Sequence, residues 1–284
     1  MSRLFVALQC LLPHHLLCRL MHAVSRSEIG WFKNLLIRVF VRGYRPDMNG
    51  ATEPEALNYR SFNAFFTRAL RADARPADPD PLHIVSPCDA RLQSASSAQA
   101  DQLLQAKGRT YTLEALLAES AWAARLRGGL YATLYLAPRD YHRVHMPLSG
   151  RLSAAWHVPG RLFAVSGATV AHLPNLFARN ERLVFAFEGE RGAFVVIMVG
   201  ALFVGSMSTV WHGTVTPSPA REVVRRLEPR LAAPQWQPRG AELGTFNLGS
   251  TVILLLPPGI ARWQPDVHPG ALLRVGQSLG SLLP

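Results

Sequence analysis

Cysteine is scarce: the 284-residue chain has three, Cys10, Cys18 and Cys88, none in a Cys-x-x-Cys pair. An odd number in a chain this long argues against a disulfide framework and fits a reducing compartment. Acidic side chains are also short, 19 against 30 Lys and Arg, a formal charge of +11. Such a field favours an anionic partner, nucleic acid or an acidic membrane surface. The arginines are scattered among apolar segments, with no arginine-rich tract and no aromatic-and-basic RNA-binding motif, so the membrane surface is the better reading and no nucleic acid is expected. Long apolar runs are missing as well. Pro13-His14-His15 interrupts the N-terminal one, and no stretch reaches the ~18 to 20 residues a bilayer crossing needs. The same interruption splits what would be the core of a signal peptide, and no clean small-x-small site follows. There is no P-loop, no dinucleotide glycine fingerprint and no Gly-x-Ser-x-Gly elbow, which removes the commonest phosphate cradles and the usual serine-hydrolase turn.

An apolar content of 49% is ample for a buried core. Trp31, Phe32, Leu35, Leu36, Val39 and Phe40 recur at helical spacing with Lys33, Arg38 and Arg42 interleaved, an amphipathic helix. Either it lies in a membrane interface, with Phe32 and Leu36 on its lipid face, or it packs on its own domain. Ser61 is a natural N-cap for a short helix burying Phe62, Phe65 and Phe66, and the Pro-rich span 71–81 reads as a linker. Beyond it the pattern shortens to β-type runs at 83–85, 130–136, 184–187, 194–199, 202–204, 209–215 and 252–256, with helix expected only at 113–126 and around 171–177. The fold expected is α+β: N-terminal amphipathic helices over residues 1–70, then a mostly antiparallel β-sandwich or barrel-like core over residues 71–284.

Chemistry concentrates in a few places. Gly249 precedes Ser250, so the Gly249 carbonyl is uncrowded and the Ser250 hydroxyl can fold back onto it. Gly-Ser-Thr alone is common and is most often a strand entry. His142 and His145 stand three apart, but the prolines at 138 and 147 argue against the helix that would make them a metal pair, and no metal is expected. Asp89, after Pro87, is by itself an ordinary turn aspartate. Cys88 reads as a packing residue, and Asp140 with Arg143 as a local ion pair. Phe177, Asn180 and Arg182 combine an aromatic face with cationic reach, a pattern that could meet a phosphorylated substrate.

Three segments in order, 138–147 (Pro-Arg-Asp-Tyr-His-Arg-Val-His-Met-Pro), 175–182 (Asn-Leu-Phe-Ala-Arg-Asn-Glu-Arg) and 244–251 (Gly-Thr-Phe-Asn-Leu-Gly-Ser-Thr), resemble the phosphatidylserine decarboxylases of the bacterial and mitochondrial type, over about residues 4–277. The resemblance implies a proenzyme that cuts itself between Gly249 and Ser250 into a β chain (1–249) and an α chain (250–284), which stay together as a heterodimer, alone or as a dimer of these. Ser250 would become a covalent pyruvoyl group that condenses with the substrate amine. Asp89 and His145 would activate Ser250, and His142 would serve as proton donor in decarboxylation. Phe177, Asn180 and Arg182 are the candidate substrate-binding residues. The implied reaction turns phosphatidylserine in an anionic membrane into phosphatidylethanolamine, by a peripheral enzyme on the cytoplasmic face of the bacterial inner membrane. Ala90 departs from the glycine common in the family, so no positive φ is expected there.

Overall fold

The structure is a computed structural model and describes residues 2–106, 108–202, 206–216, 224–227 and 236–283. Three helices open the chain, α1 (Ser2–Leu11), α2 (His14–Ser25) and α3 (Gly30–Tyr44). Pro13 separates the first two, since its missing N–H and its ring cannot continue a helix. Arg45 ends α3 in the left-handed region at φ 49°, its N–H closing on the Val41 carbonyl at 2.9 Å, with Pro46 following. A short α4 (Phe62–Phe66) is capped as expected, the Ser61 hydroxyl accepting from the Ala64 N–H at 3.1 Å. Phe62, Phe65 and Phe66 are buried with Ile37, and Leu36, Phe40 and Val41 pack against them. The Phe40 ring meets all three phenylalanines with centroids 5.2 to 5.9 Å away.

Beyond residue 82 the chain is mostly antiparallel sheet, in ladders of eight, four, three and two strands among the described residues. The eight-stranded sheet carries the core. Its central strand, Ser250–Leu256, pairs on one side with Leu130–Leu136 and on the other with Gly192–Val199, and every one of its residues is buried. The sheets do not close into a barrel; the arrangement is an open, sandwich-like α+β fold.

The apolar runs at 83–85, 130–136, 184–187, 194–199 and 252–256 all fall in strands. The run at 209–215 is instead two short strands, Met207–Thr209 and Gly213–Thr214, joined by a turn. The one at 202–204 lies largely outside the described residues. The helix expected over 113–126 is two, Leu113–Leu117 and Ser120–Leu126, because Ala118 takes a left-handed φ of 52° between them. Around 171–177 the helices are Gly167–His172 and Leu176–Arg179.

Candidate active site

Ser250 begins the central strand opposite Leu136 and is 1% exposed, and its hydroxyl has no hydrogen-bond partner. The loop before it is pinned from two sides. The Asn63 amide of α4 donates to the Asn247 carbonyl at 3.1 Å, and the Asn247 side chain donates to Ser206 Oγ at 2.8 Å. A tight strand pairing on one side and a pinned loop on the other fix the Gly249–Ser250 peptide between them.

His142 faces that peptide. Its Nδ1 lies 2.8 Å from the Asp140 carbonyl, which can only accept, so Nδ1 carries the proton and Nε2 a lone pair. Nε2 is buried and unpartnered, and a Cβ placed on Gly249 would come within 3.4 Å of it. The His142 ring packs on Phe66 with centroids 4.1 Å apart. Burial drives its pKa down to about 3, so the resting imidazole is neutral.

His145 sits on the short strand Arg143–His145, and its N–H donates to the Pro87 carbonyl at 2.7 Å, which brings it beside the segment carrying Asp89. Its ring is occupied elsewhere. Nδ1 donates to the Gly240 carbonyl at 2.8 Å, leaving Nε2 to accept from the Tyr141 hydroxyl at 3.1 Å. Burial lowers its pKa also. Asp89 is held by Arg75 in a two-pronged ion pair, Nε to Oδ1 at 3.0 Å and Nη2 to Oδ2 at 2.6 Å, and by the Val275 N–H at 2.9 Å. In this geometry no hydrogen bond joins Asp89 to His145 or His145 to Ser250. Arg75 lies in the stretch read as a plain linker, and no local signal marks it, because its partner is 14 residues away. Ala90 is not at positive φ.

Gly249 and Ser250 open into a cavity of about 320 Å³ with an apolar lining. One wall is Met21, Phe40, Tyr44, Phe62 and Phe66 from the helices; the other includes Ala164, Val165, Ser166 and Leu202. The helical segment is therefore half of the pocket, which its amphipathic pattern did not reveal.

Phe177, Asn180 and Arg182, expected to touch substrate, have scaffold positions instead. All three are buried and none lines this cavity. The Arg182 guanidinium donates to the carbonyls of Ala115, Leu116, Ala178 and Asn180 at 2.5 to 2.9 Å. Asn180 ties together Phe163 and Gly200, next to pocket residues Ala164 and Ala201. The expected Asp140–Arg143 pair is also replaced: Arg143 pairs with Glu242 at 2.9 Å across the ladder, while Asp140 accepts the Ala137 N–H at 2.7 Å. Cys88 is fully buried and burial raises its thiol pKa, in keeping with packing.

The phosphatidylserine decarboxylase family model matches residues 62–281, and a second, described as PSD, matches residues 4–45. The chain is 48% identical over 281 residues to the phosphatidylserine decarboxylase proenzyme of Azotobacter vinelandii, covering 98% of both chains. It is 47% identical to that of Ectopseudomonas mendocina, over 99% of this chain and 98% of the relative, and 45% identical to that of Methylococcus capsulatus, over 98% and 96%. The chain belongs to the phosphatidylserine decarboxylase family.

Proposed function

We infer that this chain decarboxylates phosphatidylserine to phosphatidylethanolamine, after cutting itself at Ser250. The observation that carries the reading is the buried, unpartnered Ser250 hydroxyl in the wall of an apolar cavity, directly after Gly249, which itself packs against the unpartnered Nε2 of His142.

Self-cleavage needs the Ser250 hydroxyl to add to the Gly249 carbonyl carbon while the Ser250 nitrogen leaves, giving an ester. Loss of the Ser250 α-proton then expels the Gly249 carboxylate. Water adds to the residue left behind, ammonia departs, and a ketone remains at position 250. The residues suit that outcome, since the hydroxyl has no competing partner and no side chain crowds the carbonyl. The pyruvoyl ketone would supply the electron sink into which the bond to the departing carboxylate empties.

The remaining tasks fall to side chains. A substrate ammonium has to shed a proton before its nitrogen can add to a carbonyl, and the neutral His142 Nε2 next to Gly249 is read as the group that takes it. The same nitrogen returns that proton to Cα once carbon dioxide has left, which reconciles a resting lone pair with a donor role. The apolar walls strip water from the carboxylate and favour its loss. His145, oriented by Asp89, is read as the base for Ser250 during maturation. To act so, it exchanges its Tyr141 contact, and Asp89 its Arg75 contact, for the relay. One observation favours a second reading: in the uncut chain it is His142, not His145, whose unpartnered Nε2 lies next to Gly249, and so it could be the maturation base itself.

The enzyme is read as peripheral, on the cytoplasmic face of the membrane that holds its substrate. None of the described helices is long and apolar enough to cross one. Leu8, Leu11, Leu16 and Leu20 on α1 and α2 are exposed, as are Trp31, Leu35 and Val39 on α3. These faces would bury several kcal/mol of apolar surface at ~25 cal/mol per Å², and the basic side chains add attraction to anionic lipid.

Denaturing intact-mass measurement of purified protein tests the core of this reading. Two chains meeting at the 249/250 bond are expected, the smaller blocked to Edman degradation and reactive with hydrazines, while Ser250→Ala stays full length. Cleavage of Ser250→Ala at the same bond would end the pyruvoyl reading.

A further inference from the structure

Behind the wall of the Ser250 cavity lies a second one, of about 280 Å³ and opposite character. Chain neighbours divide the two: Tyr44 and Pro138 line the apolar cavity, and Arg45 and Arg139 line the second. Five arginines and three aspartates line it. The aspartates are largely committed. Asp89 is taken by Arg75 and the Val275 N–H, Asp140 by the Ala137 N–H, and Asp47 accepts the Asn49 N–H at 2.9 Å. Arg139 reaches Asp140 only loosely, at 3.8 Å. Among the described residues, no carboxylate lies within ion-pair distance of Arg45, Arg68 or Arg274.

Arg68 is the anomaly. It is 2% exposed, yet Nε and Nη1 have no partner, and Nη2 makes only long contacts, 3.2 to 3.5 Å, to the carbonyls of Asp47, Arg139 and Asp140. A guanidinium buried with unpaired donors is strongly disfavoured unless an anion completes it. Its fork geometry matches two oxygens of one tetrahedral oxyanion.

We propose that this cavity is an oxyanion site in which Arg68, with Arg45 and Arg139 at its rim, binds a phosphate group. The ligand is a phosphodiester of a phospholipid head group or free inorganic phosphate, both of which present paired oxygens to the fork. Arg274 supplies further positive charge, and Arg75 is paired with Asp89 in the uncut chain.

Binding is measured directly on the full-length protein, so the outcome does not depend on whether the chain decarboxylates anything. Inorganic phosphate is titrated by calorimetry, and co-sedimentation is measured with phosphatidylcholine vesicles with and without phosphatidylglycerol. Wild type should bind at least one of these phosphates saturably, and Arg68→Gln and Arg139→Gln should each weaken that binding about tenfold or more, as expected for loss of a charge-assisted contact. Arg109→Gln, on the remote hairpin of Gln102–Ala106 and Arg109–Thr112, should not. Tight inorganic phosphate binding identifies the free anion; dependence on phosphatidylglycerol with no response to inorganic phosphate identifies the lipid. Arg139→Gln keeps the test open if Arg68→Gln fails to fold, because its side chain is half exposed. Absence of binding by wild type to both probes, or equal binding by wild type and a folded Arg68 or Arg139 variant, overturns the proposal.

Discussion

Burial and one backbone acceptor decide the protonation state of His142. The unfolded imidazole titrates near 6.5 and the folded one at about 3, so the unfolded chain takes up this proton first as pH falls. The stability from keeping His142 neutral is complete above pH ~6.5 and drains toward pH ~3, at about 1.4 kcal/mol per pH unit. His142→Gln should flatten the acid side of the stability profile by roughly that slope, read from denaturant melts between about pH 6 and 4. An unchanged slope would mean the imidazole is not held neutral. The two histidines also separate in function. His145→Ala and Asp89→Asn should accumulate uncut chain, with cleavage slowed on the order of 10⁴-fold, whereas His142→Ala should be cut but release little carbon dioxide. Reversed results, His142→Ala uncut and His145→Ala cut, would make His142 the maturation base. His142→Ala that matures and turns over at the wild-type rate would leave it no role in either step.

At the scale of the element, α3 divides its apolar residues between two solvents. Ile37 is fully buried, with Leu36, Phe40 and Val41 against the α4 phenylalanines. Trp31, Leu35 and Val39, spaced by four, are 72%, 51% and 65% exposed. Leu36 therefore faces the protein and Phe32 is half-buried, so the exposed apolar face is not the one read from periodicity. A charge at 31, 35 or 39 should weaken sedimentation with anionic vesicles while leaving the melting temperature nearly unchanged. Ile37→Ala should cost about 2 to 4 kcal/mol of stability. Vesicle binding unaltered in Trp31→Glu/Leu35→Glu would place the membrane contact elsewhere. This split shows what a sequence can and cannot disclose. Periodicity locates a helix with two apolar stripes but not which stripe meets Phe62 and Phe65. Strands buried on both faces, such as 130–136 and 252–256, were legible because their apolar runs are continuous. Ala90–Ser97 and Arg151–Val158 were not, since their serines, alanines and arginines take their places from partner strands. In the site, Gly249-Ser250 and the two histidines stand out as a motif. The Arg75–Asp89 pair and the scaffold role of Arg182 depend on contacts 14 and 66 residues away, and a buried arginine bound to carbonyls has the same local sequence as one that binds a ligand.

For the molecule as a whole, the proposed cut, between Gly249 and Ser250, lies where it would change the covalent structure but not the fold. The 35 residues after Gly249 are woven into the larger piece by three of their four strands among the described residues. Ser250–Leu256 fills the centre of the eight-stranded sheet, Leu272–Leu273 pairs with Ala90–Ser97, and Ser278–Leu282 pairs with His83–Val85. Val252, Ile253, Leu254, Leu255 and Leu256 are almost fully buried. At about 1.5 to 3 kcal/mol for each large aliphatic side chain, that strand alone contributes on the order of 10 kcal/mol to holding the pieces together, before its two hydrogen-bonded ladders are counted. The start of the strand is held by its pairing with Leu136, so the end made by a cut at that bond would stay in the cavity instead of springing free. Cleaved protein should therefore elute as one species in native size-exclusion chromatography, at any dilution, and separate into its two chains only in strong denaturant. Loss of the small chain from the native peak, with the larger one remaining soluble, would show that residues 250–256 do not hold the centre of the sheet after cleavage.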